Sequence, residues 1–124
     1  MGLLQMHLAS LVYRDILMKK ERCETMVTRI NYEEAAQILK ALSHPLRLEI
    51  VHGLLLDGCH NVRCIESNTG VSQSCISQHL QRLRAAGVVT AERSGNEVYY
   101  RASSKQVGEL VAALAGEEAV NYVL

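Results

Sequence analysis

Gly70-Val71-Ser72-Gln73-Ser74-Cys75-Ile76-Ser77-Gln78-His79-Leu80-Gln81-Arg82-Leu83-Arg84-Ala85-Ala86-Gly87 is the stretch whose reading decides the fold. Two glycines bracket it, and between them Ile76, Leu80 and Leu83 recur at the spacing of a single helix face. Ser72 stands where an N-cap belongs, and Gly87 where a helix stops. With the apolar residues turned inward, the opposite side presents Ser74, Ser77, Gln78, Gln81 and Ala85, and Gln73 projects from the first turn. An ordinary solvated helix favours Glu and Lys on such a face. A run of Ser, Gln and His is a poorer choice for the helix and asks for another reason. A short-chained, nearly uncharged polar face suits the edges of bases, where Gln pairs bidentately with adenine and Ser donates or accepts.

Working outward, Val62 to Thr69 reads as a short helix closed by Gly70, so two helices meet at a tight glycine-containing turn, the helix-turn-helix pattern. Downstream the period changes. Val88-Val89-Thr90 reads as a strand, Ser94-Gly95-Asn96 as a hairpin turn and Val98-Tyr99-Tyr100 as the return strand, a two-stranded wing. Arg82 and Arg84 flank the polar helix face within reach of phosphates, and the wing offers Arg93, Asn96 and Arg101 for phosphate or minor-groove contact. The expected DNA-binding set is therefore Ser72, Gln73, Ser74, Ser77, Gln78, Gln81, Arg82, Arg84, Arg93, Asn96 and Arg101.

Upstream of this pair, Asn31 caps a helix running to about Leu42, with Glu33 and Glu34 well placed in its first turn. Ser43-His44-Pro45 breaks it, and Pro45 starts a second helix that stops at Asp57-Gly58. His44 reads as a capping or structural residue, and His52 and His79 as helix-packing or phosphate-facing groups. After the wing, a helix from about Ser104 places Val107, Leu110, Val111 and Leu114 on one face. At the other end, Leu3, Leu4, His7, Leu8, Leu11, Val12 and Ile16 form a helical stripe, followed by a charged stretch from Lys19 to Arg29. A translation start at Met18 or Met26 would remove that stripe; where present, it is expected to pack against a partner subunit. The expected organisation is an extension over residues 1–30 and a mainly α winged helix-turn-helix domain over 31–124 that ends in a dimerisation helix.

Composition agrees with one such domain. The chain has 124 residues, 48% of them apolar, with no Trp or Phe, so its core must be aliphatic. Formal net charge is zero, but it is unevenly spread. Ser72 to Lys105 carries five cations against two carboxylates, a net +3, whereas Glu33 to Gly70 carries a net −2. The segment Leu3 to Met18 is too short and too interrupted for a membrane span, and no basic region precedes it as in a signal peptide. A cytoplasmic protein with reduced thiols is expected. No Gly-rich phosphate loop, paired carboxylates or nucleophile–base signature points to an enzyme.

Three segments together are similar to the ArsR/SmtB family: Ala41-Leu42-Ser43-His44-Pro45-Leu46-Arg47-Leu48-Glu49-Ile50, then Gly70 to Leu80, then Leu83-Arg84-Ala85-Ala86-Gly87-Val88-Val89. The wing Arg93-Ser94-Gly95-Asn96-Glu97-Val98-Tyr99-Tyr100-Arg101 is similar as well. The resemblance covers about Asn31 to Leu114. It implies a homodimer joined through terminal helices, and a repressor that an inducer, often a metal ion or thiol-reactive species, releases from DNA; such a dimer is expected to bind an inverted-repeat operator. By the same resemblance the base-reading residues fall on Gln73, Ser74, Ser77 and Gln78.

The chain departs from that pattern in its sensing positions. Where thiolate sensors of the family carry Cys-x-Cys, this chain has Asn61-Val62-Arg63-Cys64, and where zinc-type members carry ligands on the last helix it has Gln106, Glu109 and Ala113. What remains is Cys59, His60 and Cys64, with Cys23 as a further thiol. Two thiolates and an imidazole suit zinc or a softer thiophilic ion. The same cysteines suit disulfide formation or oxidation, and Cys64 alone suits a small buried hydrophobe. Cys75 lies near a helix N-terminus and Arg82, both of which lower a thiol pKa, although a plain packing role serves equally. A repressor without a small-molecule signal and a winged-helix module that binds protein are the other readings left open.

Overall fold

The computed structural model of the protein describes residues 30–124. The apolar stripe from Leu3 to Ile16, the charged stretch from Lys19 to Arg29 and Cys23 lie outside the described residues. The compact unit that carries the core runs from Ala36 to Leu124. In order, the elements are α1 (Tyr32–Leu42), α2 (Pro45–Asp57), β1 (His60–Asn61), α3 (Val62–Thr69), α4 (Gln73–Ala85), β2 (Val89–Ser94), β3 (Glu97–Ala102), α5 (Lys105–Ala115) and a 3-10 turn (Ala119–Asn121).

Side-chain caps fix where most of these helices begin. Asn31 Oδ1 accepts from the Glu34 amide at 3.2 Å, and His44 Nδ1 from the Leu46 amide at 3.1 Å, with Pro45 in the first turn. Asn61 Oδ1 accepts from the Cys64 amide at 2.8 Å, and Ser104 Oγ from the Val107 amide at 3.2 Å. Each cap satisfies an orphan N–H and is worth roughly 1 kcal/mol. Ser72 occupies the cap position of α4, but its hydroxyl makes no capping bond.

The core is aliphatic. Val51, Leu54 and Leu55 of α2 meet Ile76, Leu80 and Leu83 of α4, and Val88, Val89 and Val107 complete the fully buried set. Each such side chain withdrawn from water contributes roughly 1.5–3 kcal/mol. No polar or charged residue is buried among the described residues. The final helix keeps Val107 and Val111 in this core, whereas Leu110 is half-buried and Leu114 is 69% exposed, so the expected apolar face is only partly covered within the chain. Beyond α5 the chain folds back, and the Val123 amide donates to the Leu55 carbonyl at 2.7 Å. Among the described residues, no helix is long and apolar enough to cross a membrane.

The expected hairpin forms, with Val89 opposite Ala102 at its base and Ser94 opposite Glu97 at its tip. Gly95 (φ +63°) opens the two-residue turn with Asn96, and no non-glycine residue among those described has positive φ, the signature of a type II′ turn. The sheet has a third strand that the sequence reading lacked. β1 pairs antiparallel with β3, His60 opposite Tyr100 and Asn61 opposite Tyr99, giving the order β1-β3-β2. A two-residue polar strand carries no alternation of its own; its extended form comes from the partner it meets.

Candidate nucleic-acid interface

The segment between α3 and α4 is Gly70-Val71-Ser72. Gly70 sits at φ +70°, where a side chain would be strained, and its amide donates to the Glu66 carbonyl at 2.8 Å. The chain thus reverses within three residues and delivers α4 with Ile76, Leu80 and Leu83 wholly buried. Burial of that stripe forces the other face outward. Ser72, Gln73, Ser74, Gln78 and Gln81 are exposed, Ala85 with them, while Ser77 is half-buried at the edge of the face. Arg82 and Arg84 are exposed in the last turn of the same helix, where the helix dipole favours cations.

The wing cations are exposed but do not form one patch. Side chains alternate along a strand and opposed residues share a face. Arg93 therefore shares its face with Val98, Tyr100 and Ala102, whereas Arg101 shares the other with Thr90, Tyr99 and Glu97. Asn96 lies exposed in the turn between the strands.

Behind α4, His79 is half-buried. Its Nδ1 accepts from Arg47 Nε at 3.2 Å, its ring lies 4.6 Å from that of His44, and Arg47 also donates to the Ala41 carbonyl at 3.1 Å. Burial, then the neighbouring His44, Arg47 and Arg82, hold the His79 pKa below its ordinary 6.5. His79 accepts through Nδ1, so its ring stands neutral with the proton on Nε2. These contacts place His44 and His79 in structural roles. His52 packs too, with Nε2 2.9 Å from Glu117, which also accepts from the Tyr122 hydroxyl at 2.7 Å.

The helix-turn-helix and its wing are matched by known sequences. Residues 44–91 fit the family model described as bacterial regulatory protein, arsR family. The HTH-type transcriptional repressor SmtB of Mycobacterium tuberculosis is 40% identical over 94 residues, a match covering 71% of this chain and 67% of the relative. The chain belongs to the arsR family. Solved structures agree: the transcriptional repressor BigR of Xylella fastidiosa superposes with a TM-score of 0.65 at 36% identity, covering 75% of this chain and 92% of BigR. The homodimeric winged helix-turn-helix DNA-binding domain Mb0332 of Mycobacterium bovis superposes at 0.62 with 30% identity, covering 77% of this chain and 82% of that one.

Within this arsR-family fold the candidate metal set does not assemble. Among the described residues, no three His, Cys, Asp or Glu side chains converge to hold an ion. His60 turns to the Tyr100 side and its Nε2 meets Asp57 at 2.9 Å, while Asn61 turns to the Tyr99 side. The residues present do not fit a Cys59–His60–Cys64 centre. The buried reading of Cys64 also fails: the Asn61 cap leaves it exposed in the first turn of α3, and Cys59 is exposed as well. Cys75 is half-buried in the first turn of α4.

The two exposed thiols border a small network that sequence reading missed. Glu97 Oε2 accepts from Asn61 Nδ2 and from the Tyr99 hydroxyl, both at 2.9 Å. Those bonds, Tyr99 first, hold the Glu97 pKa below its ordinary 4.5. The Tyr99 phenol is raised, chiefly by its bond to Glu97, with smaller contributions from the charges of Cys64 and Cys59. Asn61 thus ties the start of α3 to the wing, beside both cysteines. Asn61-Val62-Arg63-Cys64 around a helix start is a legible cap, but the link from Asn61 to Glu97 spans 36 residues and has no local signal.

Proposed function

We propose that this arsR-family protein is a homodimeric, sequence-specific transcriptional repressor whose α4 reads an inverted repeat in duplex DNA. The observation that carries this is the exposure of Ser72, Gln73, Ser74, Gln78 and Gln81 over a helix whose Ile76, Leu80 and Leu83 are wholly buried. Gln78 and Gln81 supply bidentate pairing to adenine, and the serines adapt as donors or acceptors. Arg82, Arg84 and the wing residues Arg93 and Asn96 supply phosphate or minor-groove contacts that set register. Dimerisation is supported by Leu39 and Leu114, 55% and 69% exposed on the first and last helices, and by the homodimeric state of the Mb0332 domain. A two-fold pair of α4 helices would meet half-sites about one turn, ~34 Å, apart.

Release is assigned to Cys59 and Cys64 acting as thiols. Both are exposed and both flank the Tyr99–Glu97–Asn61 network that joins α3 to the wing. With a peroxide, one thiol becomes a sulfenic acid with loss of water, and the second thiol displaces a second water to close a disulfide. Selection from a randomised duplex pool tests the DNA reading: enrichment of an inverted repeat supports it, and no salt-dependent duplex binding rejects it in favour of a protein-binding module. Peroxide titration of the selected complex tests the thiol reading. Release by peroxide that Cys59→Ser with Cys64→Ser abolishes supports it; release that persists in that variant moves sensing elsewhere, and an inert complex marks a repressor without this signal.

A further inference from the structure

The fold draws two cations out of the acidic half of the sequence and sets them beside α4. A cleft of about 570 Å³ opens between the α1–α2 junction and the C-terminal half of α4. Lys40, Arg47 and Arg82 line it, with Gln37, Ser43 and Ala85, and no carboxylate is among its lining residues. Ala85 belongs both to this cleft and to the exposed face of α4, so the cleft adjoins the face assigned to bases. Arg47 is already in position: two of its five N–H donors bond His79 and the Ala41 carbonyl. A guanidinium pinned in this way loses little further freedom when an anion arrives. Burial is the main cause of the lowered His79 pKa, and His44, Arg47 and Arg82 add to it in that order.

We propose that this cleft seats a backbone phosphate of duplex DNA, held by Lys40, Arg47 and Arg82. The proposal rests on the DNA-binding reading and adds to it a contact from outside the helix-turn-helix and wing. Adjacency to the α4 face favours DNA as the occupant. A phosphodiester there would fix the height and tilt of α4 in the groove without reading sequence. It also explains why a chain of zero net charge needs no larger basic excess: the fold gathers cations that the sequence disperses.

Lys40→Gln in the full chain is the test, because Lys40 is exposed and its loss leaves the core untouched. Affinity for a generic duplex is measured over a salt series for both proteins. The variant is expected to bind several-fold more weakly at low salt, with its log–log salt slope shallower by about 0.9, one phosphate's share. An unchanged slope in a variant whose parent binds duplex normally overturns the cleft and leaves the DNA reading standing. A parent that shows no salt-dependent binding overturns both. Backbone amide shifts on adding inorganic phosphate to the free protein give the second readout. Shifts around Lys40, Ser43 and Arg47 together with an unchanged DNA slope assign the cleft to a free anion, against the proposal.

Discussion

Arg47 Nε donates to His79 Nδ1 across 3.2 Å, joining residues 32 positions apart on α2 and α4. The bond requires a neutral His79, and burial first, then His44, Arg47 and Arg82, oppose its protonation. The folded pKa lies below 6.5, so the unfolded chain takes up the proton first as pH falls. Stability is therefore full above 6.5 and is lost as pH drops from there through the lower folded value. Urea unfolding between about pH 8 and pH 5 should show this decline, and His79→Gln should flatten it. Glu97 and Glu117, both held below 4.5, add their own losses only in a more acidic window. A His79 titration at or above 6.5 by NMR would contradict the account.

Leu80 has no exposed surface, and Gln81 beside it is exposed. Leu80→Ala should cost about 2–5 kcal/mol in urea unfolding, a transfer loss plus a cavity. Gln81→Ala should stay within about 0.5 kcal/mol. Similar costs at both positions would mean that α4 is not buried along the stripe described.

Asn61 caps α3 through its oxygen and bonds Glu97 through its nitrogen. Asn61→Ala should lower stability by roughly 1–2 kcal/mol, the cost of a lost cap. It should also let the Glu97 pKa rise toward 4.5, since one of the two bonds holding it down is gone. A rise seen by NMR without a stability change would leave the cap without energetic weight.

Much of this architecture was legible because local chemistry and tertiary demand coincide. Gly70 and Gly87 bracket a helix whose Ile76, Leu80 and Leu83 have one place to go; Pro45 marks a helix start by its missing N–H, and Asn31 and Ser104 mark theirs by their own hydrogen-bonding. What escaped was long-range. β1 is two polar residues made extended by β3, and Arg47 finds His79 only after α2 crosses α4. The exposure of Cys64 follows from a cap one turn earlier, and Leu114 reads as core but faces outward because its helical face outruns the chain's own core. The cleft lies in that second class, where sequence names residues but not their meetings.

Arg93 and Arg101 occupy opposite faces of the hairpin. A duplex against the tip of the wing meets one face directly. Arg93→Gln should flatten the salt slope of duplex binding by about 0.9, and adding Arg101→Gln should flatten it little further. Equal steps from the two substitutions would show that DNA grips the ribbon on both faces.

The most direct test is a pair of selections from one randomised duplex pool, run with the unaltered chain and with Gln78→Ala. The account predicts an inverted repeat with half-sites about one helical turn apart, and loss of base preference at one position per half-site in the variant, a discrimination of roughly 1–3 kcal/mol. The same consensus with equal preference from both proteins would contradict the assignment of this face of α4 to the bases.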